Sequence, residues 1–297
     1  MTPRHAARWL APALALALSA AAPAQAAPPP SAAADMTWME FEAAAREGAV
    51  ALWALGAMEE HGPHLPLDTD VIIPTRQLER VRDRLAERGV RSVTLPTYAW
   101  GVNHVTSAFP GSIQVRPQVM TELMVDVFES LARAGFKEAY CITGHYDAAH
   151  SRAILEAVRR ANAQGRIRVR YVAPEPLGRR LGLEPGGPDA LLARFPPLPT
   201  ARPFADLHAG AGETSAVLHI APDKVRRDLT TKLAPTDLSD AQVAAWRQGG
   251  EAARAITPHG YLGAPAEATP AEGAAKVLGE ADAYAEAILA ARARPGR

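Results

Sequence analysis

The chain has 297 residues, with 32 Lys and Arg against 32 Asp and Glu, so its formal net charge is zero. A charge balance of that kind leaves no basic footprint for nucleic acid or anionic lipid. The single cysteine, Cys141, excludes an intrachain disulfide, and its place in the apolar run Ala139-Tyr140-Cys141-Ile142 reads as a small buried hydrophobe.

Taken in chain order, Met1 to Arg8 is basic, Trp9 to Ala22 is an apolar run too short to span a bilayer, and Ala24-Gln25-Ala26 is a small-residue cleavage site. Residues 1–26 are thus predicted to be a signal peptide, which makes the mature protein secreted or periplasmic. Residues 27–36, rich in Pro and Ala, read as a disordered tether. Residues 37–297 then form one domain, since a chain of that length suits a single large α/β unit. No second segment is apolar for long enough to cross a membrane, so no membrane association is expected after cleavage.

Val50 to Leu55 is a short apolar run followed by Gly56, the pattern of a buried strand leading into a loop. The spacing of Ile73, Leu78, Val81 and Leu85 predicts a helix from Pro74 to Arg88, with Pro at its start and Gly89 as its stop. A strand at Ser92 to Pro96, a loop from Tyr98 to Ser112 and a helix from Pro117 to Ala134 follow. Next come a strand at Glu138 to Thr143, a helix at Ala148 to Ala163 and a strand at Arg166 to Ala173. This alternation predicts a three-layer α/β/α sandwich on a mostly parallel central sheet. From Pro174 to Pro203 the Pro- and Gly-rich chain reads as a long loop or lid with one or two helical turns. Asp240 to Ala255 and Pro270 to Ala291 read as helices, the latter the last element.

The chemistry concentrates behind the first strand. Gly56 to Asp70 carries Glu59, Glu60, Asp68 and Asp70 together with His61 and His64. In open α/β sheets ligands bind beyond the carboxyl ends of the strands, which is where these groups fall. The strand Glu138 to Thr143 runs in the same way into Gly144-His145-Tyr146-Asp147. Two such His-carboxylate pairs on separate strands, with Asp70, suffice for two divalent ions sharing one bridging carboxylate and a bridging hydroxide. Asp147 also stands where it could cap the next helix. A His/carboxylate set of this kind accepts Zn, Mn or Fe. A serine-nucleophile alternative lacks the G-x-S-x-G elbow.

These segments resemble the creatininase (creatinine amidohydrolase) family. Its pattern E-x-H-G-x-H-L-P-x-x-x-D is matched by Glu59, His61, Gly62, His64, Leu65, Pro66 and Asp70. Its N-G-H-Y-E-N segment is matched by Gly144, His145, Tyr146 and, with a shorter acid, Asp147. The segment F-P-G-T appears as Phe109 to Ser112, and H-x-G-x-x-E-T-S as His208 to Ser215. The stretch from Gly263-Ala264-Pro265 to Ala271-Glu272-Gly273 resembles the family's C-terminal G-x-P and A-x-x-G pair, with one residue fewer between Ala271 and Gly273. The resemblance implies that Glu59 and His145 hold one ion, that His61 and Asp147 hold the other, and that Asp70 bridges both. It implies that His208 donates a proton to the departing nitrogen and that Glu213 orients His208 or braces the site. The function implied is an exported, dinuclear metal-dependent amidohydrolase that cleaves a C–N amide bond in a cyclic amide, formamide or small peptide-like substrate. The resemblance also implies a homo-oligomer, possibly a hexamer.

His104, Tyr146 and Phe204 are expected to contact substrate. His64 is read as a supporting group rather than a ligand, His150 as facing either the site or solvent, and His219 and His259 as structural. The sequence departs from the family in carrying Thr143 and Ala148 in place of the usual Asn flanks. It also has no Trp between Trp100 and Trp246, with Phe204 where one would stand. Creatinine is therefore not the expected substrate. The competing expectation is a periplasmic metal-containing binding or assembly protein that kept the fold and lost turnover.

Overall fold

The computed structural model describes residues 31–293. The predicted signal peptide and the start of the tether lie outside them. Residues 31 to 36 run beside the edge of the sheet, where the Ser31 carbonyl accepts the Thr94 N–H at 2.8 Å.

Five strands, β1 (Val50–Leu55), β2 (Ser92–Thr94), β3 (Glu138–Thr143), β4 (Arg168–Pro174) and β5 (Ala190–Ala193), form one sheet in the order β2-β1-β3-β4-β5. Every neighbouring pair is parallel. Side chains alternate along β1: Ala51, Trp53 and Leu55 enter one core cluster, while Val50, Leu52 and Ala54 enter the other. The first cluster is closed by α3 (Pro117–Ala134) through Met120, Met124 and Phe128, and by α4 (Ala148–Ala163) through Ile154 and Val158. The second is closed by α2 (Thr69–Glu87) through Leu78, Val81 and Leu85, and by α10 (Pro270–Ala293) through Tyr284 and Ile288. The predicted three-layer sandwich is the observed fold. None of the described helices is long and apolar enough to cross a membrane.

The order of strands positions the site. From β1 the chain crosses to β2 on one side, and from β2 it returns past β1 to β3 on the other. The helices of those two crossovers lie on opposite faces, which opens a crevice between the carboxyl ends of β1 and β3.

Four stretches of the chain differ from expectation. α1 (Trp38–Arg46) starts at a capping box in which Thr37 and Glu40 exchange bonds, Glu40 N donating to Thr37 Oγ1 at 3.3 Å and Thr37 N to Glu40 Oε2 at 2.7 Å. α2 begins at Thr69 rather than Pro74, so the proline sits inside the helix. β5 and the short α5 (Glu175–Arg180) occupy the stretch read as loop. The helix expected from Asp240 to Ala255 is two, α8 (Asp240–Trp246) and α9 (Gly250–Ile256). Gly249 and Gly250 break it with φ of 78° and 58°. The remaining helices are α6 (Ala211–Ile220) and the single turn α7 (Arg227–Thr230).

Candidate metal centre

Two glycines let the first turn of α2 settle onto the strand ends. A side chain at Gly56 would put its Cβ 2.4 Å from the Asp70 carbonyl oxygen, and one at Gly144 would come within 2.8 Å of Pro74 Cδ. Pro74 has no N–H to offer the carbonyl of Asp70 four residues earlier, so this first turn is free to be shaped by the strand ends. Asp70 thus stands in the crevice between β1 and β3, 2 % exposed.

Two groups of three ligands that share Asp70 converge there, Glu59, Asp70 and His145, and His61, Asp70 and Glu213; a third, Glu59, His61 and His208, lies beside them without Asp70. Within each, one donor atom per residue lies within 4.8 Å of the others. Asp70 offers a different oxygen to each of the two groups that share it. Its Oδ2 is 3.0 Å from His145 Nδ1, and its Oδ1 is 3.5 Å from His61 Nε2. Glu59 Oε2 completes the first group 2.9 Å from His145 Nδ1, and Glu213 Oε2 the second 3.7 Å from His61 Nε2.

The far side of each ring fixes which nitrogen is available. His145 Nε2–H donates to the Val102 carbonyl at 2.9 Å, so the Nδ1 lone pair faces the two carboxylates. His61 Nδ1–H donates to the Glu59 carbonyl at 3.1 Å, which leaves Nε2 buried without a hydrogen-bond partner, as is Asp70 Oδ2. Each group is therefore three acceptors pointed at one another, an arrangement that only a proton or a cation makes favourable. Electrostatics says the same. Burial disfavours the charged form of His61, yet Asp70, Glu213 and Glu59 push its pKa up to about 10. His145 is likewise raised well above the usual imidazole range against the pull of burial, by Glu59 and Asp70. Burial works against the Asp70 carboxylate, but His61 and His145 hold its pKa well below normal. Three carboxylates and two imidazoles in a buried crevice demand positive charge, and a pair of divalent ions fits that demand and the donor types.

Several neighbours hold the ligands in place. Thr106 Oγ1 donates to Glu59 Oε1 at 2.6 Å. Thr143 Oγ1, at one position of the missing Asn flanks, ties the two strand ends by donating to the Leu55 carbonyl at 2.5 Å and accepting the His145 N–H at 3.0 Å. His150, fully buried, accepts the Val102 N–H at 3.3 Å on Nδ1, so it braces the loop whose carbonyl orients His145. Burial and the neighbouring His145 keep His150 neutral. His64 bonds Thr214 Oγ1 through Nε2 at 2.8 Å, and burial pulls it down to about 4.

The structure does not bring Asp147 into either ligand group among the described residues. It caps α4 instead, with Oδ1 accepting from Ala149 N (2.7 Å) and His150 N (3.3 Å) and Oδ2 accepting from Val105 N (3.0 Å). Glu213 stands where the sequence placed Asp147. Its position depends on Ala209, whose left-handed backbone (φ 47°) directs its N–H onto Glu213 Oε2 at 2.6 Å. A non-glycine residue in that region costs about 1–2 kcal/mol. His208 stacks beside His61, ring centroids 4.4 Å apart, and its Nε2 lies 2.8 Å from the Glu60 carbonyl and 3.3 Å from Glu60 Oε1. Both partners are acceptors, so Nε2 carries a proton. Burial and His61 oppose protonation of the second nitrogen, but Glu59 and Glu60 prevail and raise His208 to about 9.

A cavity of about 310 Å³ opens over both groups. His104 and Tyr146 line it, whereas Phe204 is not among its lining residues. The aromatic wall comes from Trp246 at the end of α8, with ring centroids 6.1 Å from His208. Trp246 reaches the site because the α8–α9 corner docks on the loop after β2. Gly250 N donates to the Val105 carbonyl at 3.1 Å, and a Cβ on Gly249 would strike the His104 carbonyl oxygen at 2.5 Å.

The sequence profile of the creatininase family, described as creatinine amidohydrolase, matches residues 34–288. A mycofactocin precursor peptide peptidase of Mycolicibacterium smegmatis is 30% identical over 220 residues, covering 74% of this chain and 76% of that one. A creatinine amidohydrolase of Pseudomonas putida is 28% identical over 130 residues, 42% of this chain and 47% of its own. Among solved structures, a creatinine amidohydrolase superposes with a TM-score of 0.66 at 21% identity, covering 89% of this chain and 99% of that one. A creatininase described as its Mn form superposes with a TM-score of 0.64 at 22% identity, over 87% and 97%. The structural likeness is one of fold.

Proposed function

The chain belongs to the creatininase family, whose members are hydrolases of amide C–N bonds, and we propose that it is an exported amidohydrolase working with two divalent ions. The observation that carries this reading is the pair of buried acceptor groups that share Asp70, one oxygen each. Glu59 and His145 would hold one ion and His61 and Glu213 the other, with Asp70 between them. Assigning Glu213 in place of Asp147 leaves both sets complete, so the shorter acid at 147 no longer speaks for a non-catalytic protein. Such ions supply Lewis acidity toward water and toward the amide carbonyl.

The protein's own groups do the rest. The substrate amide lies over Asp70 and Glu59 with Trp246 and Tyr146 along its flanks. His208, anchored by Glu60 through Nε2, gives up a proton to the departing nitrogen as the C–N bond breaks, so the amine leaves neutral. Asp147 keeps the end of α4 and the Val105 loop against the cavity. Creatinine is a poor candidate substrate, since Trp246 is the one tryptophan at the cavity among the described residues. A panel of formamides, cyclic amides and small peptides tests the reading: metal-dependent release of amine is expected, and none from fully loaded protein would overturn it. The signal-peptide pattern of residues 1–26 supports export. N-terminal sequencing of the mature protein should start near residue 27. A homo-oligomer is proposed on family grounds and is checked by light scattering.

A further inference from the structure

The mouth of the cavity carries charge opposite to that of its floor. Arg180, the last residue of α5, and Arg247, just past α8, line the same cavity as the ligand groups. Arg180 Nη2 donates to the Tyr146 carbonyl at 2.5 Å, and among the described residues neither guanidinium has a carboxylate within ion-pair distance. Asp147, the acid on this side of the cavity, has both oxygens committed to backbone N–H groups. The two cations are close enough that Arg247, after burial, depresses the pKa of Arg180. Arginines elsewhere on the protein, such as Arg160 on Glu122 and Arg84 beside Asp282, are paired. Two guanidiniums thus line the entrance of one cavity with only Asp147 as a nearby acid, and that carboxylate is held by backbone N–H groups rather than paired with either of them.

On the amidohydrolase reading above, the geometry points to a substrate that carries a carboxylate a few bonds from the scissile amide, bound by Arg180 and Arg247. N-acylated amino acids and the C-terminal residue of a short peptide both present that chemistry. Arginine's planar fork matches a carboxylate with two parallel hydrogen bonds. Leu207 and Trp246 line the same cavity, Trp246 beside His208, and offer an apolar wall to the stretch between the carboxylate and the amide. A neutral ring such as creatinine offers nothing to the pair.

The test compares matched acids and carboxamides on metal-loaded protein: an N-formyl amino acid against its carboxamide, and an N-blocked dipeptide acid against its amide. The acid should be preferred in kcat/KM by roughly tenfold to a hundredfold, the scale of one charge-assisted hydrogen bond or two, chiefly through KM. Which pair shows the larger ratio tells free acyl amino acids from peptide ends. Arg247→Gln should cut the ratio, and Arg180→Gln with Arg247→Gln should bring it within about twofold of one while metal content holds. Arg168→Gln, at the opposite end of the sheet, should leave the ratio at its wild-type value. A wild-type ratio near one, or a ratio that survives the double substitution, overturns the inference. If no compound in any pair is hydrolysed, the amidohydrolase reading fails. Calorimetric binding of acid against carboxamide then still decides this one: tighter acid binding that the double variant abolishes supports it, and equal binding refutes it.

Discussion

The cavity floor and the cavity mouth are built from different kinds of element. The floor takes its ligands from strand ends and from the first turns of long helices, where Asp70 and His61 are almost wholly buried and each ring is locked by a backbone carbonyl. The mouth comes from the short helices α5 and α8, and its two arginines are exposed. The floor is fixed by the sheet's topology, while the mouth can change with the loops and short helices that carry it. Chemistry should therefore reside in the floor and selectivity in the mouth.

The largest effect should come from the shared carboxylate. Asp70→Asn removes the negative charge that both groups use, so elemental analysis should find far less than one ion per chain, with amide turnover lost in step. An Asp70→Asn protein that keeps two ions would break the division at its base. Next is His208→Ala, which should keep both ions yet lower amide turnover roughly a hundredfold, the usual scale for a lost general acid. An activated ester, whose leaving group needs no proton, should lose much less in the same assay. Equal losses on ester and amide, or metal loss, would place His208 among the ligands.

A pH experiment sharpens the picture of the floor. In the metal-free protein His61 rises from its ordinary 6.5 to about 10, so its contribution to stability is complete below 6.5 and drains away as pH climbs through 10. Metal-free protein should melt at a higher temperature near pH 6 than near pH 10. The loaded protein should show the reverse trend as pH falls, because protons displace the cations from His61 and His145. Melting scans with and without chelator at the two pH values check this.

The smallest effect separates Asp147 from Glu213. Asp147→Ala should leave both ions bound and cost about 1 kcal/mol through loss of the α4 cap. Glu213→Gln should release the ion at His61 while the one at His145 stays. Metal analysis and denaturant unfolding on the two variants read this directly.

The floor was largely legible in the sequence because each strand-end ligand sits within a few residues of an apolar run and a glycine. The exception is instructive. Asp147 follows His145 at the spacing by which His61 follows Glu59, but α4 starts at the next residue and turns its carboxylate onto the helix N-terminus. Glu213 was visible as a motif residue, yet its role depends on the left-handed turn at Ala209, which no spacing announces. The mouth was hidden for other reasons. Arg180 lies in a Pro- and Gly-rich stretch that reads as loop, and the helical pattern from Asp240 to Ala255 runs on across Gly249 and Gly250. β5, only four residues long, is a strand because β4 offers it an edge. The early start of α2 was masked by Pro74, a residue that usually marks a first turn.

The central claim is that two ions share Asp70, one beside Glu59 and His145 and the other beside His61 and Glu213. An anomalous-scattering map from crystals of the metal-loaded protein tests it most directly. The account predicts two peaks, each within bonding distance of a different Asp70 oxygen, with the second also ligated by Glu213. A single peak, or a second peak ligated by Asp147 instead of Glu213, would contradict it.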